Sequence, residues 1–434
     1  MDVIVRIGST TLWEAARRLE TNPGSAVRLA CGLSRLPDRV EYLVRPEGHT
    51  GDGAGLVIVG ARTLLELEAA VAAALRNAAE AEVVLGIGLG GSRGYLAAAR
   101  LDAGGAGRVD SVTVVGPGMP RIALQPAPAA ESPEERAHEH YWSRTIGALG
   151  GPENYRRLTS LGFTVSGVGR LGSAVAEALV YLGCHQVWLV DDDVIEPPNL
   201  GEMHGARVAD VGRKKVDAVA SGLVRFSDRQ TITPVAASIM SPSGLHAAKQ
   251  GDVIISAPDR DSARLAAGML ATLYLRPLLD VGTGVFGTGA DRRMGVDVRL
   301  LLPGESGPCA CVLCHGGLID VPGAASDVLR PRQAVAPNDS DAWRRGRTGS
   351  LRSLNQLCAA LGVRMLEDFL GGRIASSSWI RVEFDIAGVP TVEHRRPSVA
   401  PGSCPLCELA GSGDTGLALA VRLAGSLAAG KTAR

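Results

Sequence analysis

A glycine-rich turn near the middle of the chain constrains the fold more than any other feature. Residues 163–183 contain an apolar strand, a Gly-x-Gly-x-x-Gly turn at Gly167, Gly169 and Gly172, and an Ala-rich helix. Glycines let such a turn bend sharply, approach a phosphate closely and pack the helix against the strand. The amino end of the helix offers unpaired N–H groups to that phosphate. The pattern predicts a nucleotide site beside a parallel sheet.

A second apolar strand ends in three consecutive aspartates that begin at Asp191. Asp191 lies nineteen residues after Gly172, where an acidic side chain can hydrogen-bond a ribose hydroxyl. Asp193 belongs to the same strand end and can assist it. These residues alone also suit an NAD-dependent oxidoreductase, but the sequence places no His, Tyr or Lys suitably near the turn for that chemistry.

Four signals beyond the aspartates narrow the interpretation. Asn199 and Leu200 follow, then a Gly-Arg-Lys-Lys run at 212–215, an apolar strand ending at Asp259, and two Cys-x-x-Cys pairs. In combination with the glycine turn, they resemble the ThiF/MoeB/HesA family, whose members are related to ubiquitin-activating enzymes. The resemblance extends roughly over residues 140–410.

The resemblance implies ATP-dependent adenylation of a carboxylate, with release of pyrophosphate. The substrate would be the C-terminus of a ubiquitin-like or sulfur-carrier protein, or of a peptide, and the enzyme would be a homodimer. Such chemistry requires a held nucleotide, a magnesium ion and neutralised phosphate charge. By resemblance, the nucleotide-binding residues are Gly167, Gly169, Gly172, Asp191, Asp193, Asn199 and the phosphate-binding Lys215, while Asp259 binds Mg²⁺.

One position departs from the family pattern. After Asn199 and Leu200 the family places an arginine that contacts the phosphates, and Glu202 occupies that position here. A carboxylate there would repel phosphates at a cost on the order of 1 kcal/mol. Arg170, inside the glycine turn, or Arg207 is expected to supply the missing charge, so that Arg170 joins Lys215 and Asp259 as a catalytic candidate. The alternative is a non-catalytic scaffold that presents a peptide or carrier to a partner enzyme.

The cysteines predict a zinc site. Cys311, Cys314, Cys404 and Cys407 form two Cys-x-x-Cys pairs, which is the spacing of a structural four-thiolate zinc site. By resemblance, that site staples the C-terminal strands to the core. Cys309 is a spare thiol, and His315 is an alternative ligand. Three further cysteines, Cys31, Cys184 and Cys358, lie singly in apolar surroundings and are expected to be core thiols.

The alternation of strands and helices predicts the fold class. The expectation is an α/β protein with a doubly wound, mostly parallel Rossmann-like sheet and a smaller N-terminal α/β domain. The predicted units are a small α/β domain at 1–118, a linker at 119–137, the ThiF-like domain at 138–410, and a C-terminal tail or helix at 411–434. Residues 319–350 lack periodicity and contain no cysteine; they are expected to form the family's crossover loop.

The N-terminal unit weakly resembles the metal-dependent isopeptidase fold of the JAB/MPN family. That resemblance depends on the stretch 32–46 and on strand order. The paired histidines that such an enzyme needs for zinc are missing, since His49 is the only histidine before residue 138. The unit is therefore expected to be either an inactive domain of this kind or a generic α/β accessory domain.

Composition limits the partners and the location. With 45 basic and 45 acidic residues, the formal charge is zero and gives no electrostatic reason to expect nucleic-acid binding. No uninterrupted apolar run reaches the length of a bilayer span, and charged residues interrupt the N-terminus, so neither a membrane anchor nor a signal peptide is expected. The predicted location is cytoplasmic, which agrees with cysteines gathered in Cys-x-x-Cys pairs.

Overall fold

The computed structural model describes twelve stretches of the chain: 2–22, 24–46, 54–78, 82–89, 96–102, 105–123, 139–223, 230–287, 289–304, 311–329, 351–395 and 404–430. Two sheets organise these stretches. The first is built from N-terminal residues, and the second carries the glycine turn. Cys309 and residues 330–350 of the predicted crossover loop lie outside the described residues.

The N-terminal sheet has nine strands in the order β7-β6-β5-β4-β2-β3-β1-β8-β9. Its pairing is mixed: β1 runs parallel to β3 and β8, whereas β2 runs antiparallel to β3 and β4. The elements are β1 Asp2–Gly8, α1 Ser9–Thr21, β2 Ala26–Arg35, β3 Arg39–Val44, β4 Ala54–Ala61, α2 Leu64–Arg76, β5 Glu82–Gly88, β6 Leu96–Asp102, β7 Gly105–Arg108, β8 Ser111–Val115 and β9 Arg121–Ala123. Strand β9 lies within the predicted linker 119–137 and pairs with β8, so this sheet continues beyond residue 118.

The second sheet has eight strands in the order β12-β11-β10-β13-β14-β15-β16-β17. Strands β10 to β14 pair in parallel, and β14 to β17 pair antiparallel. The strands are β10 Gly162–Ser166, β11 Gln186–Val190, β12 Thr231–Val235, β13 Val253–Ser256, β14 Leu278–Phe286, β15 Arg293–Leu301, β16 Ser378–Phe384 and β17 Pro390–Arg395. The order reverses between β10 and β13, and ligands of such sheets bind at the carboxyl ends of strands at that reversal.

Helices cover both faces of the second sheet. They are α3 Ser143–Ala148, α4 Pro152–Ser160, α5 Arg170–Tyr181, α6 Lys215–Leu223, α7 Pro242–Gln250, α8 Asp261–Leu273, α9 Val321–Leu329, α10 Arg352–Leu370 and α11 Gly413–Ala428. On β13, Val253 and Ile255 join the core beneath α5, α6 and α10, while Ile254 joins the core beneath α7, α8 and α11. This alternation is the period of two of a strand buried on both faces. The predicted fold class, a doubly wound sheet with a smaller N-terminal α/β domain, is confirmed.

One expectation for the second domain was wrong, and one helix was not predicted. Residues 321–329 form helix α9, although the sequence predicts an aperiodic loop over 319–350. Helix α7 was not predicted, yet it has the expected start signals: the Ser241 hydroxyl accepts the Gly244 N–H, and Pro242 occupies the first turn. Within the described residues, no helix combines the length and the apolar run that a bilayer span requires.

The two sheets are joined by a buried network of ion pairs. Arg6 on β1 pairs with Asp252, which immediately precedes β13. Arg276, which follows α8, donates to Glu41 of β3 at 2.6 Å. Arg6, Glu41 and Arg276 are fully buried, and Asp252 is 5% exposed. Arg121 of β9 also donates to Asp252, at 2.6 Å. These contacts place strand β9 and the end of helix α8 at one shared interface.

Candidate nucleotide site

The glycine turn lies directly after β10, at the reversal of strand order. Gly167 has φ +86°, a conformation that side chains other than glycine rarely adopt. A Cβ on Gly172 would lie 1.8 Å from the Gly167 carbonyl oxygen, so the first turn of α5 packs against the loop only because this residue is glycine. A Cβ on Gly169 would meet nothing within 4 Å. The turn therefore has an open side on which a ligand can approach the backbone.

Asp191 follows β11 and faces this turn. Its Oδ2 accepts the Val168 N–H at 2.7 Å, and its Oδ1 accepts the Asp193 N–H at 2.8 Å. Burial raises the pKa of Asp191, and the nearby Lys215 ammonium only partly offsets that effect. The carboxylate is thus held rigidly beside the glycine turn, at the position that the sequence predicts for a ribose ligand.

Lys215, the first residue of α6, lies among three carboxylates. Its Nζ donates to Asp193 Oδ2 at 2.8 Å. Burial lowers the pKa of Lys215, but the charges of Asp191, Asp193 and Asp259 outweigh burial and raise it overall. The structure therefore brings together four residues that are up to 68 positions apart in sequence, and it keeps the lysine charged.

The candidate magnesium ligand Asp259 lies at the carboxyl end of β13 and is exposed. Carboxylate oxygens are the ligands that Mg²⁺ prefers in proteins, so the residue type fits. Asp191, Asp192 and Asp193 form a group of three carboxylates whose oxygens lie within 4.8 Å of one another, and Asp259 is not a member of that group.

Glu202 lies against the start of helix α5. Its Oε2 is 3.5 Å from Arg170 Nε and accepts the Asn355 amide N–H at 3.0 Å. Asn355 belongs to α10, and its Oδ1 accepts the Thr283 hydroxyl at 3.0 Å. Arg170 also lies 3.5 Å from the Pro198 carbonyl oxygen. The residue that departs from the family pattern is thus paired with the arginine of the glycine turn.

The other two polar candidates lie nearby in different roles. Asn199 ends a short 3-10 turn, and its Oδ1 accepts the Glu196 N–H at 2.9 Å, so this oxygen caps the turn. Arg207 is exposed, and its backbone N–H donates to Asp210 Oδ2 at 2.8 Å. Of the two arginines considered as a source of charge, Arg170 is the one in contact with Glu202.

Sequence reasoning missed a second polar group at this edge of the sheet. Asp280 on β14 is fully buried and pairs with Arg264 at 2.7 Å and with Arg299 at 3.0 Å. In the sheet register Asp280 lies opposite Ser256 of β13. Asn355 and Thr283 were also missed. No local signal marks these residues, because each acquires its partner only through the pairing of distant elements.

The four cysteines converge as predicted. Their sulfur atoms all lie within 4.8 Å of one another, and the Sγ–Sγ distances are 3.4 Å for Cys311–Cys314, 3.5 Å for Cys311–Cys404 and 3.6 Å for Cys314–Cys407. A tetrahedral zinc with Zn–S bonds of about 2.3 Å needs sulfurs about 3.8 Å apart. The donor set fits a metal ion.

His315 is fully buried beside the four cysteines, but it does not belong to the group of ligand atoms that lie within 4.8 Å of one another. Burial and the Arg299 charge lower the pKa of His315 to about 4. The single cysteines Cys31, Cys184 and Cys358 are buried, as the sequence predicts.

Comparison with known proteins relates part of the chain to a protein family. Residues 142–322 match the ThiF family. The adenylyltransferase and sulfurtransferase MOCS3 of Bos taurus is 30% identical over 131 residues, covering 30% of this chain and 28% of the relative. The SAMP-activating enzyme E1 of Haloferax volcanii is 32% identical over 115 residues, covering 26% of this chain and 42% of the relative. The chain therefore spans less than half of either curated relative.

Among solved structures, E. coli MccB with MccA-N7isoASN superimposes with a TM-score of 0.47 at 17% identity. The superposition covers 62% of this chain and 74% of that chain.

Proposed function

Residues 142–322 of this chain belong to the ThiF family, and from that premise we propose that the protein adenylates a carboxylate with ATP. The observation that carries the proposal is the placement of Lys215, whose ammonium lies beside Asp191 and Asp193 and within the field of Asp259. All four lie beyond the carboxyl ends of parallel strands at the reversal of strand order, where this type of sheet binds nucleotides.

In the proposed reaction, a carboxylate oxygen of the substrate attacks the α-phosphorus of ATP. A bond forms between them, the bond from that phosphorus to the bridging oxygen breaks, and pyrophosphate leaves with the electron pair. The glycine turn holds the nucleotide, Asp191 binds the ribose, and Lys215 neutralises phosphate charge. Asp259 would hold Mg²⁺, which would supply further positive charge at the phosphates.

The substrate is the C-terminus of a ubiquitin-like or sulfur-carrier protein, or of a peptide. The names of two matched relatives, an adenylyltransferase and an activating enzyme E1, support this class. The family also favours this chemistry over an NAD-dependent oxidoreductase. A homodimer, a cytoplasmic location and a degenerate isopeptidase-like N-terminal domain remain predictions from the sequence.

The four-cysteine cluster is proposed to hold a structural zinc ion. Four thiolates leave no open position on a tetrahedral ion, so this metal would stabilise the fold and not take part in the reaction.

The contact between Arg170 and Glu202 favours a second candidate function, that of a non-catalytic scaffold. If Glu202 neutralises Arg170, that arginine does not assist Lys215 at the phosphates, and the protein would act as a scaffold that binds a peptide or carrier without activating it. The Glu202 side chain is 19% exposed, so solvent partly screens its charge interaction with Arg170.

Pyrophosphate–ATP exchange by the purified full chain tests the proposal. The assay pairs the protein with candidate carriers and peptides, and it is run with ATP titrations in the presence and absence of magnesium. Exchange that requires both magnesium and a substrate carboxylate supports adenylation. ATP binding without exchange for any substrate favours the scaffold, and a chain that binds no ATP rules out the nucleotide site.

A further inference from the structure

We propose that the four-cysteine cluster acts as a clamp between the two domains. Metal binding there would order residues 404–414, here called the interdomain strap, and the strap holds the N-terminal sheet against the ThiF domain. The proposal rests on a metal at the cluster and not on adenylation. It predicts that metal removal loosens a defined part of the N-terminal sheet.

The cluster joins two distant parts of the chain. Cys311 and Cys314 precede helix α9, while Cys404 and Cys407 begin the strap. The sulfur contacts Cys311–Cys404 and Cys314–Cys407 therefore each link residues 93 positions apart. Around Cys407 the strap forms only a short 3-10 turn, Cys407–Leu409. A segment with so little regular structure of its own gains its order from the groups that anchor it.

Beyond Cys407, the strap backbone bonds directly to the N-terminal sheet. Arg45, just after β3, donates to the Glu408 carbonyl oxygen at 2.7 Å and lies 3.4 Å from the Ala410 carbonyl oxygen. The Gly32 N–H of β2 donates to the Gly411 carbonyl oxygen at 3.1 Å. On its other side, the Gly411 N–H donates to Thr272 of α8 at 3.1 Å. The strap is thus hydrogen-bonded to both domains at one residue.

The backbones approach so closely that both sides require glycine. A Cβ on Gly32 would lie 2.2 Å from the Gly411 carbonyl oxygen. Gly413 has φ +60°, and a Cβ there would lie 2.3 Å from the Leu33 carbonyl oxygen. Leu33 and Gly413 also form an isolated parallel bridge. Any shift of the strap therefore changes the contacts of β2.

Asp414 closes the clamp at the start of helix α11. Its Oδ2 accepts the Arg35 N–H of β2 at 3.0 Å. Its Oδ1 accepts from Lys249 Nζ at 2.7 Å and from the Tyr274 hydroxyl at 2.8 Å, and both donors belong to the ThiF domain. Lys249 also donates to the Arg35 carbonyl oxygen at 2.8 Å. One carboxylate therefore ties the end of β2 to α7 and α8.

The strap is a separate tie from the buried ion network. Arg6, Glu41, Asp252 and Arg276 pair with one another through side chains on β1 and β3 and next to β13 and α8, without using the strap. Metal loss would consequently loosen the strap and its contacts with β2, while the ion network keeps β1 and β3 docked and β2 stays paired with β3. The expected result is local opening, not global unfolding.

Amide hydrogen exchange on the full chain tests the clamp. The protein is first assayed for bound zinc, and exchange is then compared before and after chelation, with Cys407→Ser as the matching variant. We expect exchange in β2 and the strap to accelerate by about tenfold or more, while β10 and β13 are unchanged. Cys184→Ser, at a buried thiol away from the cluster, is the matched control and should leave β2 protected.

Gly32→Ala disrupts the contact between β2 and the strap through a change in β2 and keeps all four cysteines. It should accelerate exchange in the strap and β2 while zinc stays bound, which also covers the case in which Cys407→Ser fails to fold. A metal-free chain with unchanged β2 exchange, or a chain that binds no metal, would overturn the clamp. Pyrophosphate exchange on the same preparations reports separately on adenylation, so the two proposals fail independently.

Discussion

Acidic and basic side chains serve different purposes in two regions of the molecule. We call the buried ion network of Arg6, Glu41, Asp252 and Arg276 the interface, and the candidate site of Asp191, Asp193, Lys215 and Asp259 the nucleotide edge. At the interface, Arg6, Glu41 and Arg276 are fully buried, and they pair with each other or with Asp252. At the nucleotide edge, the side chain of Asp193 is 56% exposed although it bonds Lys215. Buried, mutually compensated charges hold structure together, whereas partly exposed charges at strand ends remain accessible to a ligand.

The pKa shifts of the carboxyl groups follow the same division. At the interface, arginines outweigh burial and lower the pKa of Glu41 and of Asp252. At the nucleotide edge, burial dominates and raises the pKa of Asp191. The interface therefore stabilises the ionised form of its carboxyl groups. At the nucleotide edge, the ionised form of Asp191 destabilises the folded protein when no ligand is bound. That pattern is expected where residues are placed for a ligand.

The largest expected effect comes from breaking the interface network. Asp252→Ala would leave Arg6 and Arg121 without their shared carboxylate, and the loss of one partner from a buried ion pair costs about 3–5 kcal/mol. Urea unfolding of the full chain measures it. The matched change at the nucleotide edge, Asp193→Ala, should alter the free energy of unfolding by no more than about 0.5 kcal/mol. Equal effects would contradict the division between the two regions.

Lys215→Ala, at the nucleotide edge, should affect activity more than stability. Removing the charge that we propose faces the phosphates should lower the rate of pyrophosphate exchange by about 100-fold, which corresponds to about 2.7 kcal/mol. The free energy of unfolding should change less than for Asp252→Ala, because the hydrogen-bond partner of Lys215, Asp193, is 56% exposed. The neighbouring Lys214, whose Nζ bonds the Asp192 carbonyl oxygen at 2.7 Å, provides the control. If Lys214→Ala reduces exchange as much as Lys215→Ala, then the assignment of the phosphate-binding lysine is wrong.

The pH dependence of stability should differ in sign between the two regions. The lowered pKa values of Glu41 and Asp252 contribute stability that is present above about pH 4 and is lost as pH falls through their folded values. The raised pKa of Asp191 acts oppositely, because stability from that group falls as pH rises from about 4 to its folded value. Asp191→Asn should therefore gain stability over the wild type as pH rises.

Unfolding measurements on the wild type, Asp191→Asn and Glu41→Gln across acidic to neutral pH test this sign. Glu41→Gln should lose most at neutral pH and approach the wild type as pH falls. A stability difference that does not vary with pH for Asp191→Asn would remove the claim that burial raises the pKa of this carboxyl.

How far the sequence predicts the molecule depends on whether a signal is local. The glycine turn, Asp191 and Asp259 were predictable, because the carboxyl ends of parallel strands meet at one edge. Strand β1 was not predicted, since Arg6 interrupts its apolar pattern. Arg6 is buried together with its partners Glu41 and Asp252, and Asp252 lies 246 residues away. Asn355 was likewise unpredictable, because its partner Glu202 lies 153 residues away.

The smallest expected effect concerns Glu202, which decides between the enzyme and the scaffold. Glu202→Gln removes the charge that holds Arg170 and keeps an oxygen for the Asn355 amide. Because the pair is partly exposed, the change should alter folding by less than about 1 kcal/mol. If Arg170 serves the phosphates once freed, ATP should bind about threefold more tightly, close to 0.7 kcal/mol. Titration of ATP measures this shift, and Arg170→Ala combined with Glu202→Gln should abolish the gain. If the double variant binds ATP as tightly as Glu202→Gln alone, Arg170 has no part in phosphate binding.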